Sequence, residues 1–189
     1  WQQGLRNVPL PVAIDPENRC AVFQCIEGQK IAPAQISEAD IDDAALFLAD
    51  LNRLTAVPAS RNLPDASEAC FSFTSIVRCL QGRLENLAAV PESGDLNHVF
   101  HTFLNSDVME LFHHITTWCR DGLARTGGSF LAPITRDEKT LSPSDFGFHN
   151  ALKKTDGTLA FLDFEYFGWD DPAKMISDFL LHPAIALTP

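Results

Sequence analysis

No stretch of the 189-residue chain holds the ~20 consecutive apolar residues that a bilayer crossing requires, so a membrane-embedded protein is not expected. The opening WQQGLRNVPLP lacks the charged-then-apolar order of a signal peptide, and a soluble, cytoplasmic protein follows as the expectation. Cations are scarce: Lys and Arg number 14 against 25 Asp and Glu, a net charge of −11. Phosphate backbones reward clustered cations, which argues against nucleic acid as a partner. A cationic ligand or a divalent ion suits such a surface better. The five cysteines are odd in number and none forms a CxxC pair. That speaks against a disulfide framework or a zinc ribbon and for reduced thiols, mostly in the core. Internal repeats and low-complexity tracts are lacking too.

What is present is the composition of a folded protein, 46% hydrophobic and 21% charged, in a chain long enough to bury a sizeable core. Residues 20–26 form an apolar run between Asp15-Pro16-Glu17-Asn18 and Glu27-Gly28, which predicts a buried strand with residues 10–14 as its antiparallel neighbour. After Gly28 the period changes. Ser37-Glu38-Ala39-Asp40 reads as a helix cap ahead of Ala44, Phe47, Leu48, Leu51 and Leu54 at helical spacing. Three more amphipathic helices follow, around 73–87, 96–103 and 108–119, with Trp118 on an apolar stripe that predicts a core position. From Thr140 the pattern returns to strands, with Asp156-Gly157 predicting a hairpin turn before 159–164. Asp171-Pro172 then caps a last helix with Met175, Ile176, Phe179 and Leu180 on one stripe.

Two polar clusters flank that hairpin, Ser144-Asp145-Phe146-Gly147-Phe148-His149-Asn150 and Leu162-Asp163-Phe164-Glu165. Both lie at the strand ends opposite the turn, so Asp145, Asn150 and Asp163 are expected to converge. One Asp and one Asn oxygen suffice as protein ligands for Mg²⁺ when phosphates and waters supply the rest. Asp145 would then accept the proton of an attacking hydroxyl. The plainer alternative is that Asp145 and Asn150 cap a turn and Asp163 ends a strand.

The ordered run Asp145-Phe-Gly-Phe-His-Asn150, a hairpin, Phe161-Leu-Asp163-Phe-Glu, then Asp171-Pro172 and Ser177-Asp178-Phe179 resembles the C-terminal half of aminoglycoside phosphotransferase and choline-kinase-like enzymes. The resemblance implies an α+β, protein-kinase-like fold. Residues 1–28 would be a remnant of the N-lobe sheet and hinge, and residues 29–189 a mainly helical C-lobe with short β hairpins. It implies transfer of the ATP γ-phosphoryl group to a hydroxyl of a small sugar, amino-sugar or amino-alcohol acceptor, with ATP and Mg²⁺ as cofactors. Asp145 would be the catalytic base, with Asn150 and Asp163 as metal ligands. The backbone of Gln24, Cys25 and Ile26 would meet the adenine edge. Asp178 would be the buried carboxylate that supports the catalytic loop; its spacing equally fits a solvent-facing helix position.

Two features depart from the family pattern. Pro143 stands where the family usually has His, two residues before its catalytic Asp. The sequence also shows no Gly-rich phosphate loop and no strand Lys paired with a helix Glu, so most of an N-lobe is expected to lie outside these residues. Both departures keep two rivals open: a non-catalytic kinase-fold protein that binds a ligand, and a metal-dependent phosphate-ester hydrolase. His149 would contact substrate or phosphate, or hold its own loop. Glu165 stands where protein kinases carry Gly and would add a carboxylate near the metal. Tyr166, Phe167 and Trp169, in a segment too irregular to read as a strand, would line the acceptor pocket or pack beneath the loop. Asp170 would attract a cationic acceptor or help cap the last helix. His98, His101, His113 and His114 read as partly exposed helix residues rather than a zinc site.

Overall fold

The structure, a computed structural model, describes residues 3–183, so residues 1–2 and 184–189 of the two expected segments lie outside it. The chain is α+β, with about 48% helix and short antiparallel sheets. Packing gathers it into two compact units, one of residues 1–69 with 136–189 and one of residues 70–135.

In the first unit, strands β1 (Pro11–Asp15) and β2 (Cys20–Phe23) form an antiparallel ribbon in which Asp15 faces Cys20. The expected strand stops at Phe23, and it is exposed rather than buried. A two-stranded ribbon with no further layer covers neither face, which leaves Val12, Ile14, Val22 and Phe23 in solvent. Cys20 and Cys25 are exposed with it, so of the five free thiols only Cys70 is a core residue.

Helix α1 (Glu38–Leu54) starts where the cap was expected. Ser37 and Asp40 form a capping box, with the Asp40 carboxylate accepting from the Ser37 amide at 2.9 Å and hydroxyl at 2.6 Å. Ala44, Phe47, Leu48 and Leu51 then face inward at helical spacing. Strands β3 (Gln29–Lys30), β5 (Ala151–Lys153) and β6 (Leu159–Phe161) make one antiparallel sheet in the order β3-β5-β6, with the Asp156-Gly157 turn between the last two. Strand β4 (Thr140–Ser142) pairs instead with β7 (Gly168–Asp170), inside the segment expected to be irregular. Helix α5 (Pro172–Leu180) is capped by Asp171, whose carboxylate accepts from the amides of Ala173 and Lys174.

These elements enclose a phenylalanine core. Phe161 of β6 packs 4.5 Å from Phe47 of α1 and 4.9 Å from Phe146, measured between ring centroids, and Phe179 of α5 lies 5.2 Å from Phe146 and 5.6 Å from Phe148. Strand β7 is pressed against the chain at 64–67. Trp169 N–H donates to Pro64 O, Ala66 N–H to Trp169 O, and Ser67 N–H to Tyr166 O. A Cβ on Gly168 would stand 2.5 Å from backbone atoms of Pro64, Asp65 and Ala66, so only glycine fits there.

The second unit holds α2 (Phe73–Ala88), α3 (Asp95–Phe103) and α4 (Met109–Arg125). A wide π-type turn at Leu104–Val108 joins α3 to α4. Thr74 bonds to Phe130 O through its amide and hydroxyl, and Phe73 stacks on Phe130. Helical periodicity placed these helices correctly but misjudged their burial, because none of the three contains a buried residue. Trp118, expected in the core, is 66% exposed, alongside exposed Leu111 and Ile115.

Candidate active site

The loop between β4 and β5 is built on alternation. Phe146 and Phe148 are buried in the phenylalanine core, which turns Asp145 and His149 outward on either side of them. Pro143 is fully buried and its carbonyl accepts the Asp145 amide at 3.0 Å, while Ser142 Oγ accepts the Ser144 amide at 3.0 Å. Those two bonds and the fixed φ of proline hold the start of the loop. Ser144 and Asp163 adopt φ of 69° and 65°, left-handed values that side-chain-bearing residues rarely take. Strained positions of this kind cluster at functional sites, where surrounding structure must impose them.

Asn150 donates through Nδ2 to the Asp145 carbonyl at 3.1 Å and lies 3.5 Å from its Oδ2. With the amide nitrogen committed there, the side-chain oxygen of Asn150 is left as a potential ligand. Its backbone carbonyl accepts the Leu162 amide at 2.8 Å, which sets Asp163 one residue beyond the paired strand end. Asp163 is exposed and makes no hydrogen bond or ion pair among the described residues. Tyr166 reports on the surrounding field. Hydrogen bonding to Glu165 holds its phenol above the ordinary value, and the negative charges of Glu165, Asp163 and Asp145 reinforce that direction. The three carboxylates therefore act on one exposed hydroxyl.

His149 and His182 meet at Asp145. Their rings stack with centroids 3.9 Å apart and planes within 10°, and each Nε2 stands 3.2 Å from Asp145 Oδ1. Glycine at 147 permits this: a Cβ there would come within 2.8 Å of His149 Nδ1. His149 Nε2 is off the line of a hydrogen bond, and neither of its ring nitrogens has a hydrogen-bond partner although both are shielded from solvent. Sequence reasoning missed His182, because it follows the last helix by two residues and no spacing rule ties it to a loop 37 positions earlier.

Gln24, Cys25 and Ile26 follow the exposed ribbon, and the Gln24 amide already donates to Leu10 O at 2.8 Å. Trp169, expected at the acceptor, is a buried β7 residue. Its indole N–H donates to Ser60 O, Arg136 covers its ring at 3.7 Å, and it borders a cleft of about 580 Å³ also lined by Arg61, Arg136 and Lys139. Asp178 is not the buried carboxylate: its side chain is 40% exposed and accepts from Lys174 Nζ at 2.6 Å. The acid buried beside this helix is Asp170, which does not cap it: its carboxylate accepts the Asp171 amide at 2.8 Å and contacts Lys174 Nζ at 3.3 Å. The reason is helical phase, since Met175 and Phe179 take the inward positions of α5 and leave 178 at the rim. His98 is exposed and bonded to Glu92, and His101 is half-buried and bonded to Val90 O. No helix among the described residues is long and apolar enough to cross a membrane.

No protein-family model matches the chain, and no curated protein is significantly similar to it.

Proposed function

We propose that this chain is part of a small-molecule kinase that transfers the γ-phosphoryl group of ATP to an alcohol, with the kinase-like catalytic lobe that its motifs resemble. One observation supports the reading: Asn150 Nδ2 donates to the Asp145 carbonyl within a single loop, and the Asn150 carbonyl accepts the Leu162 amide, so that Asp163 directly follows the strand end paired to that loop.

The donor set fits Mg²⁺, which prefers hard oxygens and keeps several waters: the Asn150 amide oxygen and the unpartnered Asp163 carboxylate would hold it. Bound there with nucleotide, the ion would neutralise charge on the phosphates. Asp145 would orient the acceptor hydroxyl and receive its proton. Glu165 and Tyr166 would border the acceptor. An exposed phenol among three carboxylates favours an acceptor that carries an amine, through charge and the aromatic face. The backbone beyond Gln24 would meet the adenine.

Thermal shift measurements with Mg²⁺·ATP and with a simple phosphate ester separate the readings. Stabilisation by ATP that requires Mg²⁺ and is lost in Asp163→Asn supports the kinase. Turnover of the ester without ATP supports the hydrolase, and indifference to both ligands refutes the reading. Where transfer to an amino-alcohol is detected, Asp145→Asn is expected to slow it by about 10²–10⁴ while ATP binding persists.

A further inference from the structure

We propose that Asp145, His149 and His182 bind one divalent transition-metal ion of the zinc class, at a position separate from the Asn150–Asp163 oxygen pair. One carboxylate oxygen and two imidazole nitrogens, all within 4.8 Å of one another, form this group. The proposal holds whether or not the chain transfers phosphoryl groups.

The donor chemistry selects the ion. Imidazole suits Zn²⁺, Co²⁺ and Fe²⁺, whereas Mg²⁺ takes oxygen ligands almost alone. Distances agree as well. Ligands of a tetrahedral ion at about 2.0–2.1 Å stand about 3.3 Å apart, and both Nε2 atoms lie 3.2 Å from Asp145 Oδ1. The rings are nearly parallel, so both must tilt for their lone pairs to converge; the imidazole χ2 torsion is soft and allows this. Buried polar atoms ordinarily have hydrogen-bond partners, yet neither His149 ring nitrogen has one, Nε2 standing 3.2 Å from Asp145 Oδ1 but off the line of a hydrogen bond, and an ion between the two would satisfy it.

The scaffold already brings the ligands together. Phe148 anchors the His149 backbone against Phe179, and His182 follows the end of the same helix. Three protein ligands leave a fourth position open, the pattern of reactive rather than purely structural zinc sites. An ion there would occupy the Asp145 oxygen that faces both histidines, and would therefore inhibit any reaction in which Asp145 takes a proton.

Titration of the purified chain with Co²⁺, followed by visible absorption, tests the site directly. The expected result is one equivalent of Co²⁺ bound with the intense bands of low coordination, displaced by Zn²⁺ and not by excess Mg²⁺. His149→Ala and His182→Ala should each weaken binding by on the order of 10–100-fold, and Asp163→Asn should leave it unchanged. Should either histidine variant misfold, proton NMR of the unaltered chain gives the same answer: Zn²⁺ should shift the ring signals of His149 and His182 and spare those of His98, His101, His113 and His114. Absence of the cobalt bands, bands that survive undiminished in folded His182→Ala, or zinc shifts confined to other histidines would each overturn the proposal. Loss of cobalt binding in Asp163→Asn would instead merge this site with the magnesium pair, and the separate site would be wrong.

Discussion

Replacing Lys153 with Met removes the partner of a buried charge. Asp40 is 1% exposed, and Lys153 Nζ reaches its two carboxylate oxygens at 2.8 and 2.9 Å, tying the start of α1 to β5. At 2.8 Å and an effective dielectric near 20, the attraction is about 6 kcal/mol. Desolvation of both groups offsets roughly half, and breaking such a pair from one side typically costs about 3–5 kcal/mol. Lys153 keeps a 36% exposed side chain and Ser37 still donates twice to Asp40, so the low end applies, about 3 kcal/mol. For a chain of this size that is a fall of roughly 6–12 °C in Tm. The pH dependence is the sharper test. Burial alone would raise the Asp40 carboxyl, but the bonds from Lys153 and Ser37 outweigh it and hold it below the ordinary 3.8. A depressed carboxyl lends its stability above the unfolded-state value and loses it as pH falls through the folded one. Melting curves of the two proteins should therefore be furthest apart at neutral pH and draw together on acidification below the ordinary carboxylate range. Equal stability at neutral pH, or a gap that ignores pH, would refute the argument.

Gly168→Ala should destabilise by about 3 kcal/mol or more, or prevent folding, because its methyl has no room against 64–66; denaturant melts of expressed protein decide it. Asp170→Asn should cost about 3 kcal/mol by leaving buried-side Lys174 with only Asp178, whereas Asp178→Asn at the exposed rim should cost less than about 1 kcal/mol; paired urea titrations separate the two. Burial lowers the Lys174 ammonium, yet its two carboxylates outweigh that and hold it above the ordinary value, so the Asp170→Asn variant should show a lowered Lys174 midpoint by NMR. Glu165→Gln should bring the Tyr166 phenol down toward its ordinary titration range in an ultraviolet absorbance titration, since hydrogen bonding to Glu165 is the main cause of its upward displacement.

Much of the secondary structure was legible because local chemistry decides it. Ser37 and Asp171 cap helices wherever they stand, and Asp156-Gly157 turns a hairpin without help. Burial was less legible, since it depends on what covers a face. Periodicity gave Trp118 a stripe, yet nothing among its neighbours hides it; residues 20–23 had the right composition for an inner strand, but a lone ribbon has no inside. The same limit applies at the site. Adjacency in the chain put Asp145, His149 and Asn150 on one loop, and the hairpin laid Leu162 against Asn150. The exchange of Asp178 for Asp170, and the arrival of His182, were decided by the phase of one helix and the path of the chain beyond it, which no short motif encodes.

The loop at 143–150 separates ballast from cargo. Its two inward phenylalanines and its buried proline anchor it in the core, while the side chains of Asp145 and His149 stand outside that packing. Side chains at this rim can thus be exchanged one at a time on an undercarriage that stays put. A lineage or a designer exploring new reactions on this fold would meet few penalties at 145 and 149, and severe ones at 146 and 148.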